Sequence, residues 1–99
     1  MLERDIVAAI MRHLKTIPEC FAWKTHGGPH SQAGIPDIIA CVGGRFVAFE
    51  VKTETGRLTK LQEITIQRIN DAKGNAYKVT SVAEVKHILH ILQEGLPNA

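Results

Sequence analysis

Two carboxylates and a lysine stand out in this 99-residue chain as residues whose types and spacing could do chemistry: Asp37, Glu50 and Lys52. Asp37 begins one strand-like run, Glu50 and Lys52 end the next run, and Gly43-Gly44 lies between the two runs. Carboxylate oxygens are the ligands that hard divalent cations prefer. A cation held by two carboxylates beside a lysine can activate water and stabilise developing negative charge. These residue types therefore suggest metal-assisted hydrolysis.

The two glycines predict how the neighbouring runs pair. Two glycines between β-rich runs are typical of a two-residue hairpin loop, in which Val42 pairs with Arg45. Counting outward from that pair places Asp37 directly opposite Glu50. Side chains directly opposite each other share a face of the sheet, with Cβ atoms roughly 4.5–5.5 Å apart, and Lys52 lies on that same face. A one-residue bulge would break this register and separate the two acids.

The charge of this trio leaves two interpretations open. Two carboxylates at the end of an apolar stripe repel each other, and burial makes both harder to ionise. Lys52 supplies one positive charge, and a divalent cation would supply two. The alternative is a solvent-exposed strand end at which the three side chains form an ordinary salt bridge.

The elements that must position the trio follow from the apolar spacing, which predicts one α/β domain over residues 1–95 and a frayed tail at 96–99. The predicted order is α-β-β-β-α-β-α. Helices are predicted over residues 2–17 and 59–73, and from a capping-box sequence at 81–84 onward. Strands are predicted over residues 20–25, 37–42, 45–52 and 76–80. A short strand after a long helix indicates a mixed four-stranded sheet flanked by helices.

Two polar residues lie in or near apolar helix stripes. Glu3 falls in the stripe of the first helix, where it either needs a partner at a site or favours the positive end of the helix. Gln62 lies near the sheet-facing stripe of the second helix, and the sequence from Thr59 to Gln62 is also typical of a capping box. Gln62 can cap the second helix and also serve at the site on the sheet, because the two roles are compatible.

Composition and charge limit the remaining possibilities. The net charge is +2, from 12 Lys+Arg and 10 Asp+Glu, and acids gathered at a metal site would leave the other surfaces more basic. Because no apolar stretch could cross a bilayer and the charged N-terminus lacks a signal core, we expect an intracellular, cytoplasmic protein of bacterial or phage-like context, not a secreted one. Cys20 and Cys41 are expected to be buried, reduced thiols rather than zinc ligands.

Several residues outside the trio are candidates for contacting DNA phosphates. Glycines in the loop before Asp37 would let its backbone approach a phosphate closely, although a plain surface loop is an equal alternative. Two further cations follow the strand that carries Lys52. The candidates are Lys24, His26, His30, Gln32, Arg57 and Lys60. Trp23 and Tyr77, in contrast, are expected to pack in the core rather than to stack on bases.

A family resemblance rests on Gly34-Ile35-Pro36-Asp37, on Glu50-Val51-Lys52 and on the helical Gln62. Together these motifs resemble the virus-type replication-repair nucleases (VRR-NUC) of the PD-(D/E)XK superfamily. The resemblance extends from residue 1 to about residue 80, and Glu3 in the first helix fits it as well. It implies a PD-(D/E)XK restriction-endonuclease-like core and the chemistry of a DNA endonuclease dependent on Mg²⁺ or Mn²⁺.

The resemblance also implies roles for individual residues. Asp37, Glu50 and the backbone carbonyl of Val51 would be metal ligands. Lys52 would orient or deprotonate the attacking water and stabilise charge on the phosphate. The remaining two residues have supporting roles: Glu3 would support the metal or its waters, and Gln62 would hold the site or contact the DNA backbone.

The implied partners are DNA, including branched DNA such as a four-way junction, and a second copy of the chain, because standalone members of that family act as homodimers. No membrane and no small-molecule cofactor is implied. Two rival functions stay open: a non-catalytic nucleic-acid-binding module of the same fold, and a metal-dependent hydrolase of another phosphate ester. The acidic pair opposes the first rival, since carboxylates repel a phosphate backbone unless a metal lies between them.

Overall fold

A computed structural model describes residues 1–25 and 33–95 of the chain. The elements run α1 (Glu3–Leu14), β1 (Cys20–Lys24), β2 (Ile38–Val42), β3 (Arg45–Val51), α2 (Lys60–Asp71), β4 (Asn75–Val79) and α3 (Val82–Gly95). This order confirms the predicted α-β-β-β-α-β-α sequence of an α/β fold. The tail predicted at 96–99 lies outside the described residues. Among those that are described, no helix is long and apolar enough to cross a membrane.

The four strands form one mixed sheet in the order β1-β2-β3-β4. The β1–β2 and β2–β3 pairs are antiparallel, whereas β3 and β4 are parallel. Parallel neighbours need a crossover connection, and α2 supplies it. The mixed four-stranded sheet flanked by helices is therefore as predicted.

The β2–β3 hairpin has the register that the glycine pair predicts. Val42 lies opposite Arg45 and Ile38 opposite Phe49, with no bulge between them. Gly43 and Gly44 have φ angles of 56° and 84°, in the left-handed region that a two-residue hairpin loop of this type requires. One further step along the same register places Asp37, which precedes Ile38, opposite Glu50, which follows Phe49.

The main core lies between the sheet and the pair formed by α1 and α3. Its helical residues occupy the apolar stripes seen in the sequence, and its sheet residues are the alternate positions of β2, β3 and β4. The buried helical residues are Ile6, Val7, Ile10, Leu14, Val85, Leu89 and Leu92. Tyr77 packs against this cluster, as predicted.

The helix boundaries differ modestly from the prediction. The first helix ends at Leu14 rather than at 17, because the chain turns before Pro18. Before α3, only half of the predicted capping box forms. The Glu84 N–H donates to Ser81 Oγ at 3.1 Å, while the Glu84 carboxylate accepts from the Thr80 hydroxyl instead.

The opposite face of the sheet is only partly covered. There α2 packs Ile66 and Ile69 against a small cluster of Ile39, Ala48 and Ala76, which lies over β2, β3 and β4. The edge strand β1 lies beyond this helix, so Phe21 and Trp23 remain 72% and 45% exposed. The prediction that Trp23 packs in the core is therefore wrong.

The two cysteines also differ from expectation. Both are free thiols, but Cys41 is exposed and Cys20 is only half-buried. Cys41 lies opposite Phe21 in the antiparallel register, on the part of the sheet that α2 leaves open. The prediction that Cys41 is buried is therefore wrong. The reason is the same as for Trp23, because α2 does not cover this part of the sheet.

Candidate active site

Asp37, immediately before β2, is held by contacts with both neighbouring strands. Its carbonyl accepts a hydrogen bond from the Thr25 N–H at 3.0 Å, and the Thr25 hydroxyl donates to the Pro36 carbonyl. On the other side, its carboxylate Oδ2 accepts from the Val51 N–H at 2.7 Å. These contacts fix the Asp37 carboxylate against β3, beside the end that carries Glu50.

Glu50 is the buried carboxylate of the site, with only 3% of its surface exposed. Its Oε2 accepts a hydrogen bond from Gln62 Nε2 at 3.2 Å. Its Oε1 is buried and has no hydrogen-bond partner among the described residues. Leaving a buried carboxylate oxygen unpaired is unfavourable by a few kcal/mol, on the order of 1–3 for a single lost partner. This oxygen therefore requires a proton or a cation.

The protonation of Glu50 reflects this environment. The pKa of Glu50 is raised to about 8, first by burial, and also by the hydrogen bond that protonated Glu50 can make with Asp37 and by the repulsion between the two carboxylates. The positive charge of Lys52 lowers this pKa, and the negative charge of Glu3 adds slightly to the increase. Without a metal, one proton is therefore shared at neutral pH by the pair of carboxylates.

The donor set fits a hard divalent cation. Two carboxylates offer oxygen ligands and negative charge, and the unpaired Oε1 of Glu50 is a buried acceptor without a donor. No group of three or more His, Cys, Asp or Glu side chains with metal-binding geometry occurs within residues 1–25 and 33–95. A third protein ligand from that part of the chain would have to be another oxygen, such as a backbone carbonyl. Mg²⁺ or Mn²⁺ suits such a set better than zinc.

Gln62 connects α2 to the buried carboxylate. The Thr59 N–H donates to Gln62 Oε1 at 2.8 Å, and the Gln62 N–H donates to Thr59 Oγ1 at 3.1 Å, which completes the predicted capping box. Because the cap uses the side-chain oxygen, the amide nitrogen is left to donate to Glu50. The two compatible roles inferred for Gln62 thus occur together in one side chain.

Lys52 follows β3 and is buried, with 9% of its surface exposed. The backbone N–H of Lys52 donates to the Val79 carbonyl at 3.0 Å, which continues the pairing of β3 with β4. The two ion pairs among the described residues, at residues 60/63 and 90/94, do not include it. Its charge acts on Glu50 without being committed to an ion pair there, which keeps the ammonium available to an anionic ligand.

Glu3 is the first residue of α1 and is exposed. The apolar stripe to which sequence spacing assigns it is buried only from Ile6 onward. Its charge nevertheless contributes to the raised pKa of Glu50. Glu3 therefore lies within electrostatic reach of the pair and also at the positive end of a helix, so both alternatives of the sequence analysis keep a basis in the structure.

The cations predicted to contact DNA surround the site only in part. Lys24 ends β1 and Arg57 precedes α2, and both are exposed. Lys60 begins α2, where it forms an exposed ion pair with Glu63 at 4.0 Å. The other candidates, His26, His30 and Gln32, lie outside the described residues.

Sequence reasoning missed Thr25, which anchors the backbone around Asp37. The signal is the β1–β2 register, in which Lys24 lies opposite Ile38 and Thr25 is therefore level with Asp37. Unlike the hairpin, β1 and β2 are joined by a long segment without a defining turn signature. Their register therefore could not be counted from the sequence.

The sheet order, the crossover by α2 and the acidic pair at the strand ends define an α/β protein of the PD-(D/E)XK restriction-endonuclease-like fold. A solved structure described as "VRR_NUC domain" has a TM-score of 0.73 to this chain, at 19% sequence identity, and covers 89% of this chain and 94% of its own. No protein-family model and no curated protein sequence matches the chain. The structural similarity confirms the predicted fold, that of a VRR_NUC domain.

Proposed function

We propose that this chain is a divalent-metal-dependent DNA endonuclease that hydrolyses phosphodiester bonds. The observation that carries the proposal is the buried, unpaired Oε1 of Glu50 beside Asp37. Its position in a VRR_NUC fold supports a nuclease over other metal-dependent hydrolases. A protein that only held phosphates would gain nothing from two carboxylates in its binding surface.

In this proposal Asp37, Glu50 and the carbonyl of Val51 hold Mg²⁺ or Mn²⁺. The bound cation would lower the pKa of a coordinated water and neutralise charge at the phosphate. Lys52 would orient the attacking water or, as the neutral amine, accept its proton, and the resulting ammonium would stabilise negative charge on the phosphate oxygens. Gln62 occupies Oε2 of Glu50 and so leaves Oε1 as the ligand atom.

Supporting roles complete the proposed site. Glu3 supports the metal or its waters from the start of α1. The exposed cations Lys24, Arg57 and Lys60 contact backbone phosphates, together with His26, His30 and Gln32. Two copies related by two-fold symmetry would bring two such sites to the two strands of a branched DNA, such as a four-way junction.

The test is nicking of supercoiled plasmid in Mg²⁺ or Mn²⁺. We expect cleavage by the wild type, no cleavage with a chelator, and no detectable cleavage by Asp37→Asn or Lys52→Ala. Asp71→Asn and Lys15→Ala are matched controls, because both of these side chains are exposed and away from the site. Metal binding without cleavage of plasmid or junction would favour the nucleic-acid-binding module, and cleavage of a chromogenic phosphodiester alone would favour another hydrolase.

Gln62→Glu should separate the capping role of this residue from its role at the site. Glutamate can occupy the same position of a capping box, so the free energy of unfolding should change by less than about 1 kcal/mol. The change replaces the donor to Glu50 with a third carboxylate, so cleavage should fall about 10–100-fold. Thr59→Ala is the converse control, since it removes the cap, at about 1 kcal/mol of stability, and spares the contact with Glu50. Equal losses of cleavage in both variants would contradict separate roles.

A further inference from the structure

An aromatic strip lies on the same sheet face as the acidic pair. Trp23 is opposite Ile39 in the β1–β2 register, and Asp37 lies two residues from Ile39 on the same strand. Two residues along a strand span about 7 Å, so Trp23 lies one such step from the acidic pair and Phe21 a second step away. The rings of Phe21 and Trp23 are 5.7 Å apart, tilted at 41°, and are 72% and 45% exposed.

Helix α2 forms the side wall of this strip. The side chains of Leu61 and Thr65 lie so close to Gly34, just before β2, that an added Cβ there would be 2.6 Å from Leu61 Cγ. The opposite flank of α2 faces β4, where Asn70 bonds to the Ala76 backbone at 2.8 and 3.1 Å. Among the described residues, the helix and β1 thus bound a groove on this face of the sheet, with the two aromatic rings on its floor and the acidic pair at its end.

The groove has a cation at its margin. Arg68 is one helical turn beyond Thr65 on the flank of α2 that faces the groove, and it is exposed. It forms no ion pair within the described part of the chain. Exposed aromatic rings beside an unpaired cation are features of surfaces that bind single-stranded nucleic acid.

We infer that this groove binds unpaired nucleotides of the DNA substrate, whose bases stack on Trp23 and Phe21 beside the phosphate to be cut. The inference rests on the proposed function and specifies its substrate class: DNA that is single-stranded next to the cleavage site. The aromatic side chains lie about one nucleotide step apart along an extended strand, which suits successive bases.

A second copy of the chain is a less suitable occupant. Trp23 is one step from Asp37 on the same face, so a protein surface seated on the rings would also cover the approach to the acidic pair. A thin strand of unpaired nucleotides fills the groove and brings a phosphate to that pair. The observed continuity between the rings and the acids therefore favours nucleic acid.

Tryptophan fluorescence reports on this site directly, because Trp23 is the only tryptophan of the chain. The wild-type protein is titrated with a short oligothymidylate in the presence of chelator, so that no cleavage occurs. The matched ligand is an abasic oligonucleotide of the same length, which has the phosphates without the bases. We expect oligothymidylate to quench the emission and the abasic strand to leave it nearly unchanged.

Phe21→Ala should weaken oligothymidylate binding about tenfold, as stacking on one aromatic ring typically contributes. Ile91→Ala, a change of another exposed apolar residue, on α3, should leave Kd unchanged. Equal quenching by the abasic strand, or an equal loss in Ile91→Ala, would overturn the inference. The inference would also be overturned if the wild type were a dimer that Phe21→Ala dissociates while the Kd for oligothymidylate stays the same. Quenching by a protein that never cleaves DNA would overturn only the proposed nuclease function.

Discussion

Glu50→Gln is expected to abolish nuclease activity and yet to make the metal-free protein more stable than the wild type at pH 8. Glutamine has the shape of a protonated glutamic acid and keeps a hydrogen bond with the Asp37 carboxylate, but it has no charge to offer a cation. Loss of the ligand should lower cleavage by at least about a hundredfold, since removing even a hydrogen-bond partner of a metal ligand typically lowers activity 10–100-fold.

The stability gain follows from the pKa of Glu50. That pKa is about 8 in the folded protein, against 4.5 for an ordinary glutamate. Between these values the folded protein keeps a proton that the unfolded chain has lost, so stability falls as pH rises, by up to about 1.4 kcal/mol per pH unit. This contribution is fully present below pH 4.5 and is lost as the pH rises through 8. Glutamine does not titrate, so the variant keeps its stability at pH 8.

Urea denaturation in chelator, at about pH 5 and pH 8, measures both proteins. We expect the difference in unfolding free energy between wild type and Glu50→Gln to grow with pH. Added Mg²⁺ should stabilise the wild type and not the variant, because only the wild type binds it in the folded state. Glu19→Gln, at an exposed position beside the hairpin end of the sheet, is the control and should keep the wild-type pH dependence. A parallel pH dependence in Glu50→Gln would mean that Glu50 is ionised at neutral pH without metal.

Metal binding is expected to strengthen about tenfold for each pH unit up to about pH 8, and then to level off. The protonated Glu50 must lose its proton before it can act as a ligand, so below its pKa of about 8 the cation competes with one proton. Above that pH the carboxylate is already ionised. At limiting metal, the cleavage rate should follow the same curve, and saturating metal should move the curve to lower pH.

Calorimetric titration with Mn²⁺ in two buffers of different ionisation enthalpy counts the protons released. We expect nearly one proton per metal at about pH 6.5 and almost none at about pH 9. The Lys52→Ala variant tests the electrostatic origin, because loss of the positive charge should raise the pKa of Glu50 further and move the binding curve to higher pH. An affinity independent of pH would show that no buried proton is displaced.

The acidic pair and its support could be predicted from local sequence. Gly43-Gly44 allows only a tight turn between two β-rich runs, and the register of β2 and β3 then follows by counting, which brings Asp37 beside Glu50. The capping box from Thr59 to Gln62 is equally local, since it needs only residues three positions apart. Helix stripes likewise identified most of the main core.

Other features depend on contacts between residues far apart in sequence. Trp23 is exposed because α2 crosses over β3 and β4 and does not reach β1, and nothing in the strand pattern says where a helix will cross. The anchoring of Asp37 by Thr25 depends on a pairing that no turn signature defines. The raised pKa of Glu50 depends on burial among several elements, which only the assembled fold produces. Local periodicity determines which face of an element is apolar, whereas tertiary packing decides which of those faces is covered.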